Sequence, residues 1–329
     1  MIFVTGGAGF IGSHFLHRWF SQSNEDVVNL DALTYAGQLE HLSDLTSNPN
    51  YHFVHGNILN DQLVRSLFQR FQPRGVVHLA AETHVDRSIS DPAHFANTNV
   101  MGTLTLLEAA RQYLANIAPE QAQAFRFINI STDEVYGDLP PEAIPAVEST
   151  PFNPSSPYSA SKAAADQMGR AYARTYGLPV VTLRSGNNYG SGQYPEKLIP
   201  LMIDRALRGE ALPLYGDGLQ RRDWVHVDDF CDAITLSLEH AAAGEIFNVS
   251  AHNEQSNLAV IQAICHVLDT HRPRKDHRSY CEQISHTTDR PGHDRRYALN
   301  ATHIQETLGW HPKHDFHKAF VETILSYLH

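Results

Sequence analysis

The sequence predicts an α/β fold built on a doubly wound parallel sheet. Three observations lead there. Short β-type runs alternate with helical patterns through the first half of the chain, a glycine-rich turn follows the first run, and an aspartate ends the second. Strand, helix, strand in series means parallel strands joined by right-handed crossovers.

The strand candidates, in order, are Ile2–Val4, Val27–Leu30, Tyr51–Val54, Val76–Leu79, Phe127–Ile130 and Val180–Leu183. Between them, Asp61–Gln72 carries Leu63, Val64, Leu67, Phe68 and Phe71 at helical spacing. Thr98–Leu114 and Ser159–Thr175 read as longer helices. After about residue 186 the texture changes, with Pro195, Pro200, Pro213 and the turn Gly216-Asp217-Gly218 in a mixed region. A helix over Val227–Glu239 and a strand over Ile246–Val249 return to the main sheet. The expected division is a dinucleotide-binding domain from residues 1–186 and 224–250. A smaller mixed α/β substrate domain takes 187–223 and 251–329.

A chain of 329 residues can bury a large core, and its 42% hydrophobic and 19% charged residues are ordinary for a globular protein. The net charge of −11 argues against a nucleic-acid binder, which needs basic patches. It leaves room for a small anionic substrate held by a few arginines. No apolar run approaches the ~18–20 residues that cross a bilayer. The glycine-rich turn begins at Thr5, so no signal peptide is expected, and three cysteines without CxxC spacing suit a reducing cytoplasm. His311, His314 and His317 have a suggestive spacing, but Pro312 breaks the local helix and no cysteine or acidic set joins them. No metal site is expected.

Gly7-Ala8-Gly9-Phe10-Ile11-Gly12 follows a strand and opens a helix, the context a dinucleotide fingerprint requires. Gly7 and Gly9 are expected to make the tight turn and let the backbone approach a pyrophosphate, and Gly12 to let helix pack on strand. The free N–H groups and dipole of the helix then face the phosphates. Asp31, nineteen residues beyond Gly12, would bond the adenosine ribose and repel a 2′-phosphate, which favours NAD over NADP.

Two further stretches carry chemistry. Tyr158 and Lys162 lie four residues apart on one helical face. A phenol has a pKa near 10. A neighbouring ammonium should bring it closer to the working range, so that it takes a proton from a sugar hydroxyl as hydride leaves for the nicotinamide. Thr132-Asp133-Glu134 follows the strand Phe127–Ile130 and so borders the crevice of an open α/β sheet. A 4-keto group acidifies the C5 proton; Glu134 can remove it, and a protonated Asp133 can assist loss of the C6 hydroxyl.

On TGGAGFIGS, LDALTYAG, HLAAETHVDRSI, STDEVYG, PSSPYSASKAA, NNYG with PEKLIPL, YGDGLQRRDW and DRPGHDRRY, the chain resembles the nucleotide-sugar 4,6-dehydratases of the extended short-chain dehydrogenase superfamily over nearly its full length. The resemblance implies a Rossmann-type domain, NAD, and conversion of dTDP-glucose to its 4-dehydro-6-deoxy product. That conversion runs by oxidation at C4, loss of water across C5/C6 and hydride return to C6. It implies Tyr158 as oxidation base with Lys162 as partner, Asp133 and Glu134 as elimination acid and base, and Thr132 on the O4 hydroxyl. Gly6, Gly9, Phe10, Ile11, Gly12, Asp31, Ala32, Leu33, Thr34, Asn57, Ile58, Ala80, Ala81, Thr98, Tyr158, Lys162 and Asn188 would line NAD. Thr83, Thr132, Asn187, Lys197, Leu198, Pro213, Leu214, Tyr215, Arg222, Asn257, Asp289, Arg290, Pro291, Gly292 and His293 would hold the nucleotide sugar. Arg222 also makes sense by itself as a diphosphate clamp. A homodimer through Thr98–Leu114 and Ser159–Thr175 is implied too. Asn57 stands where the family's pattern has an aspartate towards adenine, with its amide oxygen still able to accept.

Three other readings stay open: the same elimination on a UDP-sugar, a nucleotide-sugar 4-epimerase, and a non-catalytic NAD-sensing protein. An epimerase needs no elimination pair, and a sensor can dispense with Tyr158 and Lys162.

Overall fold

The computed structural model describes residues 1–328. Twelve strands run in chain order. They are β1 (Ile2–Thr5), β2 (Val27–Asp31), β3 (Tyr51–His55), β4 (Gly75–His78), β5 (Arg126–Thr132), β6 (Val180–Ser185), β7 (Asn187–Tyr189), β8 (Leu212–Tyr215), β9 (Arg221–His226), β10 (Ile246–Val249), β11 (Glu254–Ser256) and β12 (Ile284–Thr287). Seven of them form one sheet in the order β10-β6-β5-β4-β1-β2-β3. Every pairing in it is parallel. Helices cover both faces, so central strands such as β1, β2 and β4 are buried throughout and read as near-continuous apolar runs. Strand order reverses at β1, between β2 and β4, and a ligand crevice opens at the carboxyl ends there.

Beneath the sheet, Phe15, Trp19, Ile128, Leu183, Phe230 and Phe247 share one apolar cluster; above it, Phe3, Phe68, Leu107 and Phe127 share another. A separate cluster around Met202, Leu212, Trp224, Ile264 and Phe320 gathers the helices Leu198–Leu207, Asn257–His271 and Phe316–Ser326. The small sheets β11-β9-β7 and β12-β8 flank that third cluster.

The elements depart from the expected spans in informative ways. β5 runs on through Ser131 and Thr132, because its ladder with β6 continues to Thr132 opposite Ser185 although the apolar run has ended. The helix expected from Thr98 is regular only over Gly102–Leu114, behind a π-helical turn at Ala96–Met101. The helix expected over Ser159–Thr175 spans Pro157–Tyr176. Ser156 caps it, Pro157 takes the first turn, and Ser156 and Ser159 bond reciprocally as a capping box.

One buried ion pair holds this framework. Arg184 on β6 is fully buried and bonds Asp166 through Nε–Oδ2 at 2.8 Å and Nη2–Oδ1 at 3.0 Å. Its Nη1 donates to Tyr136 Oη at 2.6 Å and to the Glu148 carbonyl at 3.0 Å. Removing one partner leaves an uncompensated buried charge. Asp166→Ala should therefore lower the unfolding free energy by about 3–5 kcal/mol, read from denaturant melts.

Candidate active site

The carboxyl edge of the sheet opens into a cavity of about 350 Å³ at the β1/β4 switch point. The glycine-rich turn forms one wall. Gly6 has φ +76°, and a Cβ there would lie 2.6 Å from the Ala80 nitrogen; a Cβ on Gly12 would meet the Gly6 carbonyl at 2.2 Å. The left-handed residue is thus Gly6, not Gly7, whose need for glycine comes from the Asn29 side chain packed against it. The helix Phe10–Gln22 opens on Gly9 with no side-chain cap and no acidic residue in its first turn. Its N–H groups and dipole are left for an anion.

Asp31 ends β2 in the cavity wall. Its Oδ2 accepts from Ala8 N at 2.9 Å and its Oδ1 from Leu33 N at 2.8 Å, so it also holds the glycine turn in place. Gly6, Gly9, Phe10, Ile11, Gly12, Asp31, Ala32, Thr34, Asn57, Ile58, Ala80, Ala81, Thr98, Tyr158, Lys162 and Asn188 all line the cavity. Leu33 does not: at φ 49° it turns its side chain onto the core. Asn57 differs in detail as well, because its Oδ1 already accepts from Leu59 N at 2.9 Å. Ser131 Oγ and Asn188 Oδ1, both buried in residues of this wall, have no protein partner. An uncapped helix end, glycine clearance and orphaned polar atoms together fit a dinucleotide.

At the inner end stand Thr132, Asp133, Glu134, Tyr158 and Lys162. Asp133 and Glu134 lie in a 3₁₀ turn, Asp133–Tyr136, that follows β5 directly. The Thr132 hydroxyl donates to Asp133 Oδ1 at 3.1 Å, whereas Asp133 Oδ2 is buried without a partner. Burial, then the like charge of Glu134, push the Asp133 carboxyl up to about 8, against the pull of Arg222. It therefore holds a proton at neutral pH. Glu134 is also raised by burial, opposed by Arg222, Arg290 and Lys197.

Burial drives the Tyr158 phenol well above the usual range, with the charge of Glu134 next. Lys162 Nζ donates to the Ile130 carbonyl at 2.6 Å, and burial brings it down to about 8.

Of the residues expected to hold the sugar nucleotide, Thr83, Thr132, Asn187 and Lys197 line this cavity. Lys197 Nζ donates to the Thr83 carbonyl at 3.0 Å. Leu198, Pro213, Leu214, Tyr215, Arg222, Asn257, Asp289, Arg290, Pro291, Gly292 and His293 lie outside its wall. Among these, Pro213–Tyr215 sit on β8, Arg222 on β9, and Asn257 opens a helix. The segment 289–293 lies against residues from the first half of the chain: a Cβ on Gly292 would approach the Ser155 carbonyl to 2.7 Å, and Arg290 reaches Asp86 at 3.3 Å. Arg222 is buried, stacked 4.2 Å over the Tyr297 ring, and donates to the carbonyls of Arg221 and Asp294. It forms no ion pair among the described residues.

Glu82, Tyr194 and Glu196 also line the cavity and were not singled out from sequence. Glu196 Oε1 accepts from Tyr35 Oη at 2.9 Å, and its Oε2 is buried without a hydrogen bond. Glu82 and Glu196 fall inside HLAAETHVDRSI and PEKLIPL, so the motifs were visible even though these side chains carried no assigned role.

A doubly wound sheet with this cleft, a Tyr/Lys pair and two neighbouring carboxyl groups is the arrangement of a short-chain dehydrogenase-type enzyme. The family model described as GDP-mannose 4,6 dehydratase matches residues 3–323, and the chain belongs to that family of nucleotide-sugar dehydratases. It is 52% identical, over 99% of its length and 92% of the relative's, to a dTDP-glucose 4,6-dehydratase of Xanthomonas campestris pv. campestris. Among solved structures it is similar to a dTDP-glucose 4,6-dehydratase of Streptomyces venezuelae with NAD among its bound ligands. That match has a TM-score of 0.90 at 40% identity, covering 99% of this chain and 96% of that one. The Bacillus anthracis enzyme of the same name, in complex with NAD, matches at a TM-score of 0.87 and 43% identity, with coverages of 99% and 96%.

Proposed function

We propose that this chain is an NAD-dependent dTDP-glucose 4,6-dehydratase, a hydro-lyase whose substrate and product differ by one water. The observation that carries the reading is Asp133, a buried carboxyl in the cavity wall beside Thr132, Glu134 and Tyr158. A 4-epimerase has no use for it.

The Gly6–Gly12 turn, Asp31 and Asn188 would hold NAD, which would supply reversible hydride transfer, from C4 in the oxidation and to C6 at the end. Every other task falls to the chain. Tyr158 Oη, acting as the phenolate, removes the proton of the O4 hydroxyl. Lys162 contributes its positive charge nearby. Once C4 is a ketone, Glu134 takes the acidified C5 proton. Asp133 delivers its own proton to the departing C6 hydroxyl, and burial of the site keeps bulk water from competing. Arg222 and Lys197 face the nucleotide diphosphate, supported by the segment 289–293. The substrate lobe comprises 187–223 and 251–329, and the dinucleotide lobe the rest. The enzyme works in the cytoplasm as a homodimer paired through Thr98–Leu114, which carries exposed Met101, and Ser159–Thr175, next to exposed Tyr176.

Charge-assisted bonds of a guanidinium to phosphate contribute about 1.5–3 kcal/mol, so Arg222→Lys should raise KM by about 10–100-fold with a smaller effect on kcat. Turnover of dTDP-glucose against UDP-glucose and UDP-N-acetylglucosamine, scored by loss of water from the nucleotide sugar, tests the substrate. Equal or faster turnover of a UDP-sugar would overturn the dTDP reading while leaving the elimination intact.

A further inference from the structure

Two loops that wall the cleft touch each other: 32–41, which follows β2, and 190–197, which follows β7. Thr34, Ala36 and His41 of the first line the cavity, as do Gly192, Gln193 and Tyr194 of the second. Both loops are moored to the phosphate-binding turn. Gln38 N donates to the Ala8 carbonyl at 2.9 Å, and Ala8 N donates to Asp31 Oδ2 at 2.9 Å. On the other side, His14 Nε2, on the helix that opens at Phe10, donates to the Ser191 carbonyl at 3.0 Å. The Phe10 ring lies 3.5 Å from where a Cβ on Gly190 would stand.

The free parts of the loops then meet. Tyr35 Oη donates to Glu196 Oε1 at 2.9 Å, and the Tyr35 ring meets Tyr194 edge-on with centroids 5.4 Å apart. His41 lies 3.5 Å from where a Cβ on Gly192 would stand. Arg87, on the short helix Val85–Ser90 beyond β4, backs the junction: its guanidinium stands 3.8 Å over the Tyr35 ring and 3.4 Å from Glu196 Oε2. Contacts thus run in a ring from Ala8 through Tyr35 and Glu196 to Ser191 and His14, returning to the helix end that faces an anion. Burial, then Glu196, raise the Tyr35 phenol well above its usual range, so it stays a donor. A phenol bonded to a carboxylate is stronger than a neutral pair. The chemistry assigned to Tyr158, Asp133 and Glu134 makes no use of it.

We propose that Tyr35 and Arg87 retain the cofactor: the Tyr35–Glu196 bond, backed by Arg87, straps the two loops together beside the pyrophosphate site and slows NAD dissociation. The inference rests on NAD occupying the cleft and on the proposed dehydration. A reaction that takes hydride from C4 and must return it to C6 fails whenever the cofactor escapes between the two steps, so slow exchange has a direct use.

The test is exchange of bound NAD for isotopically labelled NAD in the full-length holoenzyme, read by mass spectrometry after rapid desalting. Tyr35→Phe should exchange about 10–100-fold faster than wild type, as expected for one hydrogen bond to a charged group. Arg87→Met should exchange about 2–5-fold faster for loss of the stacked cation. Arg70→Met, which removes a surface guanidinium 4.9 Å from the Phe71 ring, should leave the rate unchanged. Circular dichroism checks folding, and Arg87 is exposed, so its replacement supplies the reading if Tyr35→Phe does not fold. An unchanged rate in folded Tyr35→Phe, or in Arg87→Met in its place, would overturn the strap while leaving NAD in the cleft. A wild-type protein that binds no NAD at all would overturn the strap and the cofactor reading together.

Discussion

Tyr158→Phe is expected to lower kcat by about 10²–10⁴-fold, the range that a positioned acid or base contributes, with substrate binding little changed. The variant loses one oxygen from a buried site. The ring stays packed edge-on against Phe95, so the fold should hold. Because C5 becomes acidic only after C4 is oxidised, exchange of the C5 proton with solvent should fall with turnover. Full turnover in Tyr158→Phe would remove the phenol from the mechanism.

Asp133→Asn should separate the two halves of the elimination. Glu134 remains, so C5 exchange continues, whereas loss of the C6 hydroxyl falls by a comparable 10²–10⁴-fold for want of its proton donor, roughly. Glu134→Gln should show the opposite, with C5 exchange itself abolished. The pH profile follows from the same carboxyl. With Asp133 at about 8, the acid form is present below that pH, and kcat should fall about tenfold per unit above it. Stability has a related slope. The folded pKa lies far above the unfolded value near 3.9, so folding takes up a proton. The carboxyl's contribution is most favourable below about pH 4 and is lost as pH rises towards 8. Asp133→Asn removes that loss and should raise Tm at pH 8 by about a few degrees, the mark of a site that trades stability for chemistry. Full dehydration by Asp133→Asn, or a lower Tm at pH 8, would contradict the assignment.

Much of this was legible because parallel strands buried on both faces read as plain apolar runs, and because strand, glycine turn and Asp31 come in a fixed local order. Local signals also marked Thr132-Asp133-Glu134 and Tyr158/Lys162, since each sits beside the element that aims it. What was not legible depends on three-dimensional neighbours. Leu33 lies within a cofactor-type run yet turns away from the cavity, a matter of backbone conformation that the residue type does not announce. The spacing of Tyr158 and Lys162 did not reveal that the Lys162 ammonium donates to the Ile130 carbonyl. The histidines were read along the chain as His311, His314 and His317. His314 in fact meets His226 and Asp228, contributed by a distant stretch of sequence.

The most direct test of the central claim is mass spectrometry of dTDP-glucose incubated in deuterated water with the protein as purified. Loss of one water, with one solvent deuterium at C5 and no net change in the cofactor, is the predicted result. Unchanged dTDP-glucose even after NAD is added, or dehydration with the C5 hydrogen retained, would contradict it.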